Sequence, residues 1–168
     1  MQPDQLRARQ APLKERYRAE PGAALVTLRA ESRLDAPGIS CTVETGRAVV
    51  EAGLHPATGG SGLQACSGDM LLEALAACAG VTLRAVATSL DIAIEGGRIV
   101  AEGDLDFRGT LGVAKDVPVG FGAIRLRFEL DTNATAEQLD TLLRLTERYC
   151  VVLQTLRTPP SVSLARAA

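Results

Sequence analysis

The chain has 168 residues, 46% of them hydrophobic and 23% charged, enough for one globular domain with a sizeable core and too apolar for intrinsic disorder. Eighteen lysines and arginines against twenty acidic residues leave a formal charge of −2 without a basic block, so nothing favours a nucleic acid partner. Three phenylalanines, two tyrosines and no tryptophan make aromatic cation cages and base-stacking platforms hard to build, and a single histidine, His55, excludes zinc sites that need two imidazoles.

The four cysteines, Cys41, Cys66, Cys78 and Cys150, form no CxxC pair and no short-range cluster, so they announce neither a zinc knuckle nor a thioredoxin-like motif. The amino-terminal segment MQPDQLRARQAPLKERYR lacks an apolar signal stretch and is charged from Asp4 onward, which leads us to expect a cytoplasmic location. The most apolar run, Ala74 to Leu83, is ten residues long between Glu73 and Arg84, short of the roughly 18 to 20 needed to span a bilayer. A core helix is expected there, and no membrane partner.

In chain order, the charged stretch from Leu6 to Arg18 reads as a helical arm that stops near Pro21-Gly22, with a solvated arm as the alternative. β-Branched residues recur from Ala23 to Leu34 and from Ile39 to Leu54 around the turn Asp35-Ala36-Pro37-Gly38, a hairpin pattern. The segment HPATGGSG at 55–62 has turn composition and no lysine, so it reads as a flexible connection and not as a phosphate loop. Ser67 can cap a helix from about Asp69 to Leu90 that is apolar on almost every side and rich in alanine, which lets another element approach closely. The glycine pair at 96 and 97 opens a second β region: Ile99 to Phe107, a loop over 109–120, then Ala123 to Leu130. In that last strand Ile124, Leu126, Phe128 and Leu130 alternate with Arg125, Arg127 and Glu129, so one face meets water. Thr135 and Gln138 form a capping box, and Leu139, Leu142, Leu143, Thr146, Tyr149, Cys150 and Leu153 make a helical stripe to about Leu156. Pro159-Pro160 ends it before a final strand, Ser161 to Leu164. Antiparallel runs of strands with interspersed helices define an α+β class, read as a single domain over 1–168 with 1–22 as its arm.

Cys78 lies midway along the alanine-rich helix on one face with Leu71, Leu75 and Thr82. Cys150 lies on the stripe of the later helix. Each is by itself an ordinary packing residue, but two core-facing stripes that each carry one thiol allow the helices to cross with the sulfurs adjacent. Cys41 and Cys66 read as structural or incidental. His55 sits beside a proline and a glycine-rich loop, a poor setting for a thiol hydrolase base. Glu147 and Arg148 read as a solvated or ion-paired helix face.

The stretch GDMLLEALAACAGVTLRAVA at 68–87, followed by ERYCVVLQTL at 147–156, resembles the OsmC/Ohr family (osmotically inducible protein C-like and organic hydroperoxide resistance proteins) over about residues 23–168. The resemblance implies antiparallel sheets packed around long central helices in an intertwined homodimer, and thiol-dependent reduction of organic hydroperoxides to alcohols. It carries the peroxide-attacking role to Cys78 and the resolving role to Cys150. The family's thiol-activating arginine would be Arg33, with Arg29 the runner-up. The family's glutamate position is Gly68 here, and Asp69 or Glu73 is the carboxylate available to replace it. An ideal helix separates Asp69 from Cys78 by about 13.5 Å of rise and half a turn, so Asp69 would act by orienting an arginine. Such chemistry needs no metal, flavin or haem, only an external dithiol reductant, a lipoyl-type dithiol among the candidates. A pocket lined by leucines and alanines would favour organic hydroperoxides over hydrogen peroxide. The alternative is a catalytically weak dimer of the same fold that binds an apolar ligand or senses thiol redox state.

Overall fold

The computed structural model describes residues 49–112 and 114–166, with Arg108 by backbone alone, the backbone of residues 31–33 and 40–44, and the isolated positions Gln2, Asp4, Gln5, Ala8, Ala11 and Ala19. Most of the expected arm over 1–22, the turn at 35–38 and Arg29 lie outside these residues. The chain divides into two compact units. One, the strand-rich unit, comprises residues 8–73 and 100–127; the other, the helical unit, comprises 1–7, 74–99 and 128–168.

In the strand-rich unit the β-branched segments form β1 (Glu31–Arg33), β2 (Ser40–Glu44) and β3 (Val49–Gly53). These pair antiparallel, with Arg33 opposite Thr42 and Val43 opposite Val50, so the expected hairpin is a three-stranded meander. A short β4 (Ala65–Cys66) then joins β3 in parallel, Gly53 facing Cys66, an exception to the expected antiparallel pattern. The segment expected to be a flexible connection is ordered locally as a 3₁₀ turn, Pro56–Thr58. Nδ1 of His55 accepts from the Ala57 N–H at 3.0 Å, and Pro56 stands at the first turn position, where its missing N–H costs nothing.

β4 runs straight into helix α1 (Ser67–Ser89), so Ser67 is its first helical residue instead of a cap ahead of it. At its far end, in the helical unit, Asp91 takes a left-handed φ of 56° and the Ile92 N–H reaches back to the Ala87 carbonyl at 2.9 Å. This Schellman-type closure turns the Ile92 side chain into a core of Leu83, Val86, Ala87 and Leu142.

β5 (Gly96–Leu105) and β6 (Phe121–Asp131) pair as a two-stranded sheet. Gly97 has φ 124°, and a Cβ there would lie 2.2 Å from the Glu129 carbonyl oxygen, so only glycine fits. Ion pairs Arg98–Glu129, Glu102–Arg127 and Asp104–Arg125 line the exposed face; their numbers rise on one strand as they fall on the other, the mark of antiparallel strands. The alternation expected in β6 is present, Ile124, Leu126 and Phe128 half-buried and Arg125 and Arg127 exposed. A one-turn helix α2 (Phe107–Thr110) occupies the loop between the strands.

The expected single helix over 135–156 is two. Helix α3 (Ala136–Tyr149) begins with the capping box of Thr135 and Gln138 and ends at Cys150, whose ψ of 105° breaks the helix before α4 (Val151–Arg157). The break turns Tyr149 out of the stripe to 57% exposure and leaves Cys150 fully buried. The expected strand at 161–164 is absent: residues 159–166 form no regular structure, and Val162 and Leu164 are 84% and 98% exposed. Their apolar-polar alternation is not matched by pairing to either sheet.

Candidate active site

Within the helical unit, α1 puts Cys78 one turn before Thr82 and one position before the fully buried Ala79. The geometry around its sulfur follows from the break at Cys150. In a continuous helix the N–H groups of Val151, Val152 and Leu153 would bond carbonyls four residues earlier; the extended ψ of Cys150 releases them as the free first amides of α4. The amides of Val152 and Val151 donate to the Cys78 sulfur, as do the Cys150 thiol and the Thr82 hydroxyl. Burial pushes the Cys78 thiol up, but these donors together outweigh it and hold the thiol below its ordinary range. Each stabilises the thiolate over the thiol, which accepts such bonds poorly.

Cys150 responds in the opposite sense. Burial raises its thiol, the Leu153 amide partly offsets this, and donation to the negative Cys78 sulfur raises it further. The two thiols are thus pushed in opposite directions, Cys78 down and Cys150 up. The two form a coupled pair, so the order of ionisation belongs to the pair.

Two contacts span the break. The Gln154 side-chain amide donates to the Glu147 carbonyl at 2.7 Å, and the Arg157 guanidinium pairs with the Glu147 carboxylate. Glu147 is therefore ion-paired, and Arg148 lies 5.5 Å above the Tyr149 ring, as expected of a polar helix face.

The other residues singled out from sequence are placed differently. Arg33 ends β1 opposite Thr42, and its side chain is not among those described. Asp69 is exposed in the first turn of α1, where a carboxylate suits the positive helix end. It belongs to the strand-rich unit, on the wall of a cavity of about 490 Å³ whose apolar lining includes Leu71, Leu72, Leu105, Phe107 and Phe121. Cys66 is on the same wall, which packing arguments from sequence did not reveal. His55 also lines it and stacks on Phe107 with ring centroids 4.8 Å apart. A Cβ on Gly68, the position ten residues before Cys78, would stand 3.5 Å from Phe121 Cζ and 3.6 Å from Cys66 Sγ, ordinary van der Waals distances. The Thr82 hydroxyl and the Val151 and Val152 amides were missed by sequence reasoning. Thr82 had a signal in its i, i+4 spacing from Cys78; backbone amides carry none.

An α+β chain with a low-lying thiol set against a second thiol at a helix break defines a class of two-cysteine domains. The model of the OsmC-like protein family matches residues 60–165, and the chain belongs to that family. Among solved structures, an OsmC-like protein from Mycoplasma pneumoniae superposes with a TM-score of 0.66 at 18% identity, covering 80% of this chain and 89% of that one. An organic hydroperoxide resistance protein OsmC from Legionella pneumophila gives 0.62 at 20% identity, covering 80% and 92%. An organic hydroperoxide resistance protein from Elizabethkingia anophelis, with thiocyanate bound, gives 0.60 at 19% identity, covering 81% and 91%. No curated protein matches the chain. The fold is the OsmC-like α+β fold, in a family that includes organic hydroperoxide resistance proteins.

Proposed function

We propose that this protein is a thiol-dependent peroxidase that reduces organic hydroperoxides to alcohols through Cys78 and Cys150. The observation that carries the reading is the opposed tuning of two adjacent thiols, Cys78 lowered by four donors and Cys150 raised by burial and by Cys78 itself. The Cys78 thiolate attacks the distal oxygen of ROOH; an S–O bond forms as the O–O bond breaks, and the alkoxide leaves as ROH after taking up a proton. The resulting sulfenic acid is met by the Cys150 sulfur, which gives up its proton as the S–S bond forms and water leaves. An external dithiol, of which a lipoyl-type dithiol is one, reduces the bridge and is itself oxidised to a disulfide. In this reading Arg33 and Asp69 keep the roles the family resemblance implies, activation of the thiol and orientation of the arginine, and no metal or organic cofactor takes part.

The reading includes a cytoplasmic homodimer. Helix α1 is, among the described residues, the one helix long and apolar enough to cross a membrane, yet it leaves Val81 73% and Leu71 37% exposed, and Val162 and Leu164 are bare as well. A second copy of the chain is the cover we assign to these surfaces. Light scattering at micromolar concentration should give twice the chain mass; a monodisperse monomer would overturn the dimer.

A second reading is favoured by the cavity of the strand-rich unit together with Gly68 in place of the family's glutamate: a weakly catalytic protein that binds an apolar ligand or senses thiol redox state. Steady-state consumption of cumene hydroperoxide and of hydrogen peroxide, with a dithiol as reductant, separates the two. The peroxidase reading expects turnover with the organic substrate well above that with hydrogen peroxide. Absence of turnover with both would leave the binding reading.

A further inference from the structure

The sequence from 136 to 157 has no glycine or proline, and its apolar spacing suits one continuous helix, yet the helix is broken at Cys150. A break of this kind strands the Glu147 carbonyl, whose helical donor would be the Val151 N–H. Glu147 is exposed, so an unmet carbonyl there is left to water or to the returning Val151 N–H, and that return closes the helix again. The carbonyl is not unmet here. The Gln154 side chain, one turn into α4, folds back and donates to it at 2.7 Å, while its own backbone N–H bonds the Cys150 carbonyl at 2.9 Å. One residue thus meets the first of the three carbonyls released by the break and anchors the start of α4, and Arg157 on Glu147 braces the same side.

We propose that Gln154 is a positioning residue: its side-chain amide takes the place of the Val151 N–H on the Glu147 carbonyl, holds the helix open at Cys150, and so keeps the Val151 and Val152 amides on the Cys78 sulfur. Without that donor, Val151 N–H returns to Glu147, α4 continues α3, and Cys78 loses the two backbone donors that α4 provides. Among the described residues, the titratable group facing Cys78 is the Cys150 thiol, and it moves with the same break. The proposal deepens the peroxidase reading, since it concerns the thiol assigned the attack, but its measurement does not need peroxide turnover.

The test is the pH profile of Cys78 alkylation by iodoacetamide, followed by peptide mass spectrometry on the intact protein. Gln154→Met keeps length and helix propensity and removes the donor; its midpoint should rise by about half a unit to one unit, the scale of one or two amide hydrogen bonds. Adding Val151→Pro to Gln154→Met should bring the midpoint back toward wild type. Proline has no N–H to return to Glu147, it is tolerated at the first position of a helix, and it holds the break open for the Val152 amide. A role of Gln154 in stability alone would not be rescued in this way. An unchanged profile in Gln154→Met, or a rise that the proline fails to reverse, overturns the proposal. Should Gln154→Met prove unfolded by circular dichroism, Gln154→Lys, which retains a donor nitrogen, must keep the wild-type midpoint, and a rise there counts against the proposal. A shift in Gln154→Met beside a wild type that consumes no peroxide would leave the positioning role standing and remove the peroxidase reading. Peroxide turnover with no shift would do the reverse.

Discussion

Cys78 in the helical unit and Cys66 in the strand-rich unit are both half-buried free thiols on or next to the same helix, and their surroundings differ in kind. Around Cys78 the groups are donors: two backbone amides, a hydroxyl and a second thiol. The cavity wall that Cys66 shares is mainly apolar, with Phe121, Phe107 and three leucines beside His55, Ser67, Asp69 and Thr110. Exposure is similar in the two cases, so it does not distinguish them. Donors that can follow the charge onto sulfur favour the thiolate, and at Cys78 the helix break supplies two of them beside the Thr82 hydroxyl and the Cys150 thiol.

Three experiments press on that contrast. The largest effect should come from Cys78→Ser, which should reduce hydroperoxide turnover to background, because a serine hydroxyl is scarcely ionised near neutral pH and attacks an O–O bond poorly. Cys66→Ser measured alongside should keep turnover within about twofold, as expected of a residue outside the chemistry. Equal loss in both would erase the distinction between the two regions. Next, Cys150→Ser should permit a single round of attack and then stall. Dimedone should label Cys78 as a sulfenic acid, and continued peroxide should carry it to sulfinic acid. Full multiple turnover without Cys150 would assign resolution to an external thiol. The smallest effect concerns packing. Leu142 is fully buried in the helical core, whereas Leu63 in the strand-rich unit is 89% exposed. Leu142→Ala should lower stability by about 2–5 kcal/mol and Leu63→Ala by less than about 0.5 kcal/mol, read from urea denaturation midpoints.

Elements whose residues advertise burial or an end were legible in the chain. The apolar run around Ala74–Leu83 announced α1 within two residues at its start and one at its end, and the strict alternation of 124–130 announced β6. The capping box at Thr135 marked the start of α3. The rest depended on interactions that no local pattern encodes. The break at Cys150 is held by Gln154 and by contacts to α1, while ERYCVVLQ offers only two adjacent β-branched valines as a weak hint. The expected strand at 161–164 had the right alternation and yet pairs with neither sheet, because alternation in a sequence specifies a face and not a partner. At the site, the two stripes allowed Cys78 and Cys150 to be neighbours, and the family resemblance named them as partners. The amides of Val151 and Val152 were not legible, because every residue but proline carries one. His55 as the cap of the 56–58 turn could have been read from the proline that follows it.

The account rests on Cys78 and Cys150 being partners in one chemistry, and the most direct measurement is the map of bridges formed on oxidation. Purified protein titrated with one equivalent of cumene hydroperoxide, blocked with an alkylating agent and digested without reductant, should show a Cys78–Cys150 disulfide within one chain, with Cys41 and Cys66 alkylated. A bridge between Cys41 and Cys66, or oxidation of Cys66 ahead of Cys78, would contradict it.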